Sequence, residues 1–337
     1  FYYIENGMGK KWKWLAKIFA FFGACVGLMG IGTFSQVNGI SSAVVGFFDP
    51  NCENTVTIFG NTYSIVTVIS GVIIALCAGL VIIGGLKRIS SVSQVVVPFM
   101  ALLYIIAVVV LLICNITKIP AAIVEIIEGA FGIRPIAGGM LASMLISMRN
   151  GVARGIFSNE SGLGSAPIAA AAAKTHEPVR QGLISMTGTF IDTIVICTMT
   201  GLSIVMMGSW SNEALQGVQV TTDAFQKGLH FLPAQAASFI LMICLVFFAF
   251  TTILGWNYYG ERCLEYLSGK NKVAVMIYRI LYIAAVFIGP YMTVSEVWTI
   301  ADIFNGLMAI PNLIALLALS GVVVSETKIY LKRIGKA

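Results

Sequence analysis

Charge is what this chain has least of. Among its 337 residues, Asp, Glu, Lys and Arg together make up 11%, where soluble domains carry about a quarter. A soluble surface cannot be covered with so few charges. Histidine is scarcer still. The two present, His176 and His230, are far apart in sequence, which argues against a metal centre. The seven cysteines follow neither pairing nor metal spacing. Cys25, Cys77, Cys114, Cys197 and Cys244 fall inside apolar stretches, where a thiol behaves as a small apolar group. Only Cys52 and Cys263 lie near the ends of such stretches, so a disulfide framework is not expected. No His–Glu metal motif and no Ser–Lys or Asp–Asp pairing occurs at catalytic spacing, and no enzyme or cofactor is expected.

Long hydrophobic runs are present instead. Hydrophobic residues make up 58% of the chain, and the mean hydropathy is +0.91. Residues 18–48, 54–86, 89–117, 231–260 and 303–325 each contain no charge, and a spanning helix needs about 20 apolar residues. Strict alternation over about ten residues, the mark of a transmembrane strand, is missing. The reading is an all-α integral membrane domain over 1–337 with eight spans. These lie at 14–40, 62–85, 92–116, 137–174 (broken), 181–208, 234–260, 273–292 and 297–325.

The basic residues set the orientation. Lys10, Lys11, Lys13 and Lys17 precede the first span, and Lys87 and Arg88 follow the second. Lys174 and Arg180 separate the fourth from the fifth; Arg262, Lys270 and Lys272 separate the sixth from the seventh. Lys328, Lys332, Arg333 and Lys336 follow the eighth. The alternate loops hold Lys118, Arg134 and Lys227 among six acids. Every second loop is basic, which places both ends in the cytoplasm. The net charge of +6 then faces anionic lipid headgroups of the cell membrane and implies no nucleic-acid partner.

The most informative segment is GVARGIFSNESGLGSAPIAAAAAK (151–174). Helical sequence runs through Phe157, meets a polar, Gly-rich stretch, and resumes at Ala166-Pro167, with Ser165 as the expected N-cap and the alanines 169–173 helical. Irregular backbone at membrane depth survives only where it lines a cavity or is buried in protein. Such a break offers free N–H groups and carbonyls to a substrate carboxylate and a cation. The alternative is a cytoplasmic loop between separate helices.

A few polar residues inside spans add to this. Asp192 is an intramembrane acid, open to pairing with Arg149 or Arg154, to helix packing, or to a proton or cation path. In the first span Gly32, Gln36 and Gly39 fall on one helical face, for close helix packing or a ligand. Thr251 and Thr252 could give hard oxygens to Na⁺, or could bond their own backbone one turn back. Thr252 and Trp256 share a helix face. Residues 302–306 and 310–312 interrupt the last span, suggesting a kink or two short helices. Residues 217–229 read as an amphipathic surface helix, lying on the membrane or lidding a vestibule.

The stretches FYYIENGMGKKWKWLA (1–16), GTFSQVNGI (32–40), 151–174, GTFIDTIVICTMTGL (188–202) and VWTIADIFNGLMAIPNLIALLALSGVVV (297–324) closely resemble the alanine or glycine:cation symporter family, along the whole chain. The resemblance implies a prokaryotic transporter of a small neutral amino acid coupled to Na⁺ or sometimes H⁺, in a leucine-transporter-like helical bundle of the amino acid-polyamine-cation superfamily. It implies further spans before Phe1, including a first broken helix whose partner is the break near Ser158. By the same resemblance the amino acid rests against Gln36, Ile156, Phe157, Ser158 and Trp256, held between Phe157 and Trp256, and Na⁺ is held by Thr251 and Thr252.

Overall fold

The computed structural model describes residues 1–58, 60–131 and 140–335. Arg134, Lys336 and the start of the expected broken span, 137–139, lie outside them. Seven helical stretches among the described residues are long and apolar enough to cross a membrane: Lys10–Phe48, Ile65–Ile83, Gly85–Cys114, Pro178–Met206, Ala234–Ser268, Lys272–Tyr291 and Val294–Arg333. The expected fourth span is not among them, because its longest helix carries Arg149 and Arg154 and the rest is cut into short pieces.

A short amphipathic helix, α1 (Tyr2–Gly7), leads into α2 (Lys13–Met29). α2 presents a stripe of small residues, Ala16, Ala20, Gly23, Ala24 and Gly27, all buried. Small residues let neighbouring backbones approach closely in lipid, where packing rather than water exclusion drives helix association. α2 therefore becomes the central post, packed by α13 (Ala234–Ser268) and α15 (Val294–Arg333). Its large buried side chains, Phe19 and Val26, join Ile253, Leu254, Tyr282 and Met308 in one apolar cluster.

The first expected span, 14–40, is not one helix. α2 ends at Met29 and α3 (Phe34–Phe48) begins after a break at residues 30–33. Gly32 shows why: a Cβ there would stand 2.5 Å from the Gly27 carbonyl oxygen and 2.6 Å from the Trp256 Cβ. Gly32 therefore does not share a helix face with Gln36 and Gly39, which both lie on α3. The Thr33 hydroxyl donates back to the Leu28 carbonyl at 2.7 Å, and that of Tyr282 donates to Gly32 O at 2.8 Å. These bonds meet part of the hydrogen bonding that the break leaves open.

Beyond α3, Asp49 accepts from the Ser64 hydroxyl at 2.6 Å and the Glu53 N–H at 2.9 Å. It thereby pins a hairpin of β1 (Thr55–Ile58) and β2 (Asn61–Ser64), paired Thr55 with Ser64 and Val56 with Tyr63. Then follow α4 (Ile65–Ile83), α5 (Gly85–Cys114) and α6 (Ile119–Ala130). A second apolar cluster joins Val108 and Leu111 of α5 to Phe225, Leu229 and Leu241.

The 151–174 region is interrupted as three helices: α7 (Met140–Ser158), α8 (Glu160–Leu163) and α9 (Ala166–Ala170). The alanine run stops being helical at Ala170, three residues short of the expectation. Ser165 makes no side-chain cap; its buried hydroxyl has no partner among the described residues. Asn159 caps instead, its side-chain oxygen accepting from the Ser161 and Gly162 N–H groups. Gly164 ends α8 with φ +89°, a left-handed conformation that costs glycine little.

α10 (Pro178–Thr189) runs through a π-helical turn over Phe190–Ile196 into α11 (Cys197–Met206). π turns insert one residue into a helix and recur at functional sites. The expected surface helix is α12 (Val218–Gly228). Its Phe225 is fully buried against the bundle, so the helix is docked on the protein through that face. After α13 comes α14 (Lys272–Ile288). The last span is one unbroken 40-residue helix, α15, with Pro311 inside it. The interruption expected at 302–306 and 310–312 is absent because Asn305 and Asn312 are buried helix-face residues.

Candidate functional site

The two apolar clusters flank a cavity of about 390 Å³. α3 contributes Ser35, Gln36, Asn38 and Ser42; α12 and the turn before it contribute Gln216, Val218 and Thr221. Phe157 at the end of α7 and Trp298 near the start of α15 complete one wall, their rings 4.8 Å apart. Several polar groups here are already committed. The Asn38 amide donates to the Met292 carbonyl at 2.8 Å. Thr200 donates to Ile196 O at 2.8 Å, so the Tyr104 hydroxyl donates to Thr200. Gln36 has no side-chain hydrogen bond among the described residues, and its amide is left to meet a ligand.

Behind Phe157 and Trp298, the Arg154 guanidinium lies over both rings, 5.5 and 4.4 Å from their centroids. It pairs with Asp302. Cation–π contact and ion pair together tie α7 to α15 beside the cavity. Arg154 is thus taken, and Asp192 does not pair with it. Asp192 Oδ2 instead accepts from the Ser158 hydroxyl at 2.7 Å and from Thr193 at 3.3 Å.

Below the cavity, α8 is stitched to α13 and α15. Tyr259 of α13 donates to Glu160 at 2.7 Å. Asn312 of α15 donates to the carbonyls of Ser161 and Gly162 at 3.2 and 3.0 Å, and accepts from Tyr3 at 2.7 Å. On the far side of α8 lies a second cavity, about 490 Å³, lined by residues such as Pro167, Ala170, His176 and Gln181. The broken segment therefore contributes to both cavities, through Phe157 before α8 to the first, which α12 also lines, and through Ala166, Pro167 and Ala170 after α8 to the second, which the 174–180 loop region also lines.

The candidates from sequence divide accordingly. Gln36 and Phe157 line the first cavity. Ser158 points to Asp192, and Ile156 packs against Gly162, whose Cβ position lies 3.4 Å from the Ile156 Cα. Trp256 is 4% exposed; its ring meets Tyr259 and its Cβ abuts Gly32, so it does not face Phe157 across the cavity. Thr251 donates to Phe247 O and Phe248 O, at 3.1 and 2.9 Å, and Thr252 to Phe248 O at 3.0 Å. That is the backbone-bonded alternative, although each oxygen keeps lone pairs. Tyr104, Thr200 and Trp298 were not singled out from sequence. A mid-span tyrosine and threonine, and a tryptophan four residues before an intramembrane Asp302, were the available signals.

The whole chain, residues 1–337, matches the sequence profile of the sodium:alanine symporter family. An uncharacterized transporter of Haemophilus influenzae is 50% identical over 334 residues, covering 99% of this chain and 68% of that protein. The sodium/alanine symporter AgcS of Methanococcus maripaludis is 44% identical, covering 97% of this chain and 66% of its own length. The probable sodium/glutamine symporter GlnT of Bacillus subtilis is 37% identical, covering 98% and 64%. The chain thus spans about two thirds of the length of these relatives. Seven apolar helices and a full-length match to a transporter family make this a multi-pass membrane protein. The chain belongs to the sodium:alanine symporter family.

Proposed function

We propose that this chain forms part of a secondary transporter of the cell membrane, carrying a small neutral amino acid, alanine or glycine, together with Na⁺. The observation that carries the reading is the pair of cavities lined by the two ends of one broken segment. A site reached from one side, then from the other, is what alternating access requires. The last carbonyls of α7, which have no intrahelical donor, are the means of holding the ammonium end of a zwitterion with few charged side chains. In this reading the bundle is of the leucine-transporter type. Gln36 and Phe157 contact the amino acid from the cavity, and Ile156, Ser158 and Trp256 lie at the two breaks that move during the cycle. Na⁺ is held by the lone pairs of Thr251 and Thr252.

Relatives named for alanine and for glutamine leave the substrate's side chain to be fixed by the cavity walls. The test is uptake of labelled alanine into proteoliposomes holding the full-length protein, with glycine, glutamine and leucine as competitors. An inward Na⁺ gradient is expected to drive accumulation. Uptake that responds to no cation gradient overturns symport, and uptake driven by H⁺ alone reassigns the coupling ion.

A further inference from the structure

One carboxylate is left over. Asp192 lies in the middle of the Pro178–Met206 span, and no lysine or arginine pairs with it among the described residues. Three side-chain oxygens converge there: its own Oδ2, the Ser158 Oγ at 2.7 Å and the Thr193 Oγ1 at 3.3 Å. The neighbouring positions of the same two segments are stitched in parallel. Asn159 donates to Thr193 at 3.3 Å, and the Ser161 and Thr189 hydroxyls lie 3.1 Å apart.

The backbone on both sides is unusual. Asp192 lies within the π-helical turn Phe190–Ile196, which rotates the helix by one residue and brings residues 189–193 against the break. Opposite it, α7 ends at Ser158. The last four carbonyls of a helix have no intrahelical donor. Of these, Gly155 O is capped by Asn159, and a helix C-terminus carries about half a negative charge. A full negative charge, a partial one of the same sign and two hydroxyls thus meet at one point. An ionised carboxylate at membrane depth is expensive unless a positive charge answers it.

The place adjoins the first cavity. Ile196 and Thr200, one and two turns along the same helix, line the first cavity, as does Phe157 beside Ser158. We infer that Asp192, Ser158 and Thr193 form a binding position for a small monovalent cation, Na⁺, at the floor of that cavity and separate from Thr251 and Thr252. The donors are all oxygen and compact, which suits a hard ion. The position joins the broken helix to α10–α11, so occupancy would draw the two segments together. This rests on the symport reading and adds a second cation to it.

The test is Na⁺ titration of purified full-length protein without amino acid, NaCl replacing choline chloride, read by thermal unfolding and by tryptophan fluorescence. Omitting the amino acid separates Na⁺ from a substrate ammonium. The variants are Asp192→Asn and Thr252→Ala. Wild type is expected to gain thermal stability with Na⁺ along a titration of slope above one. Asp192→Asn should shift half-saturation of one component upward by about tenfold or more, since affinity follows ligand charge. Thr252→Ala should leave that component in place. A folded Asp192→Asn that titrates like wild type overturns the inference, and so does a Na⁺ response that only amino acid elicits. If Asp192→Asn does not fold, Ser158→Ala keeps the carboxylate. Half-saturation raised severalfold supports the site, and an unchanged titration refutes it. A protein that binds Na⁺ through Asp192 yet accumulates no amino acid would refute the transport reading alone.

Discussion

Replacing Tyr282 by Phe removes a single oxygen from the centre of the bundle. Tyr282 is fully buried, and its hydroxyl lies 2.8 Å from Gly32 O and 2.7 Å from Ile253 O. The two carbonyls differ. Ile253 is inside α13, so its carbonyl keeps the ordinary helical donor four residues on. Gly32 lies in the break between α2 and α3, where the tyrosine is its hydrogen-bond donor. Tyr282→Phe therefore leaves one buried carbonyl without a partner, at a cost of about 1–3 kcal/mol, and creates almost no cavity. For a chain of this size that is a fall in Tm of about 1–4 °C. The control is Tyr278→Phe. Tyr278 is equally deep but donates at 3.0 Å to Ala24 O, inside α2, where the helical bond persists. Its loss should be less than half as large. Both are measured by thermal unfolding of detergent-purified protein. Equal shifts for the two variants, or no shift for Tyr282→Phe, would refute the claim that the break depends on this hydroxyl.

Gly164→Ala combines a positive φ with a Cβ only 2.6 Å from Asn312 Cγ; a loss above about 2 kcal/mol should appear as reduced Tm or yield. Asn312→Leu keeps the volume but drops both bonds to α8 and the acceptor for Tyr3, so a cysteine placed at Ala170 should react severalfold faster with a membrane-impermeant thiol reagent. Gln36→Ala, at an amide free of internal partners, should raise half-saturation for amino acid uptake about tenfold, equivalent to about 1.4 kcal/mol, with Tm unchanged. The Asp49 carboxyl is held below its usual range, first by the Ser64 hydroxyl and then by the Glu53 N–H. A depressed pKa stabilises above the unfolded value, near pH 4, and that contribution is lost as pH falls through the lower folded value; amide exchange in the β1–β2 hairpin should accelerate only below about pH 4.

Much of this was legible in the chain itself. Hydrophobic length anticipated seven long apolar helical stretches to within a few residues at most ends, because lipid imposes one rule on every residue it touches. The interruption after Ser158 was legible because Gly, Asn and Ser stand where a continuous helix would place apolar residues. The break at residues 30–33 was not. Its sequence, Gly-Ile-Gly-Thr, is apolar enough to pass as helix, and the cause lies far away, in the side chain of Trp256 and the hydroxyl of Tyr282. The same holds for Trp256 itself. Its helix face could be read, but which neighbour that face meets could not. Asp192 was visible as an anomaly, yet its relation to Ser158 depends on a π turn that has no simple sequence mark. In α15 the opposite error arose: Asn305, Pro311 and Asn312 look like breakers, but tertiary packing carries the helix through them.

The length of α15 has a mechanical meaning. Forty residues at 1.5 Å each make a rod of about 60 Å. It is tethered near one end by Arg154 to Asp302 and at the other by Arg333, which donates to Glu177 at 2.5 Å. A tilt of about 5° about its middle moves the two ends by about 2.5 Å in opposite directions, by the geometry of a rod that long. That displacement is enough to break an ion pair. A rod of this length that pivots about its middle therefore displaces its two tethers in opposite directions.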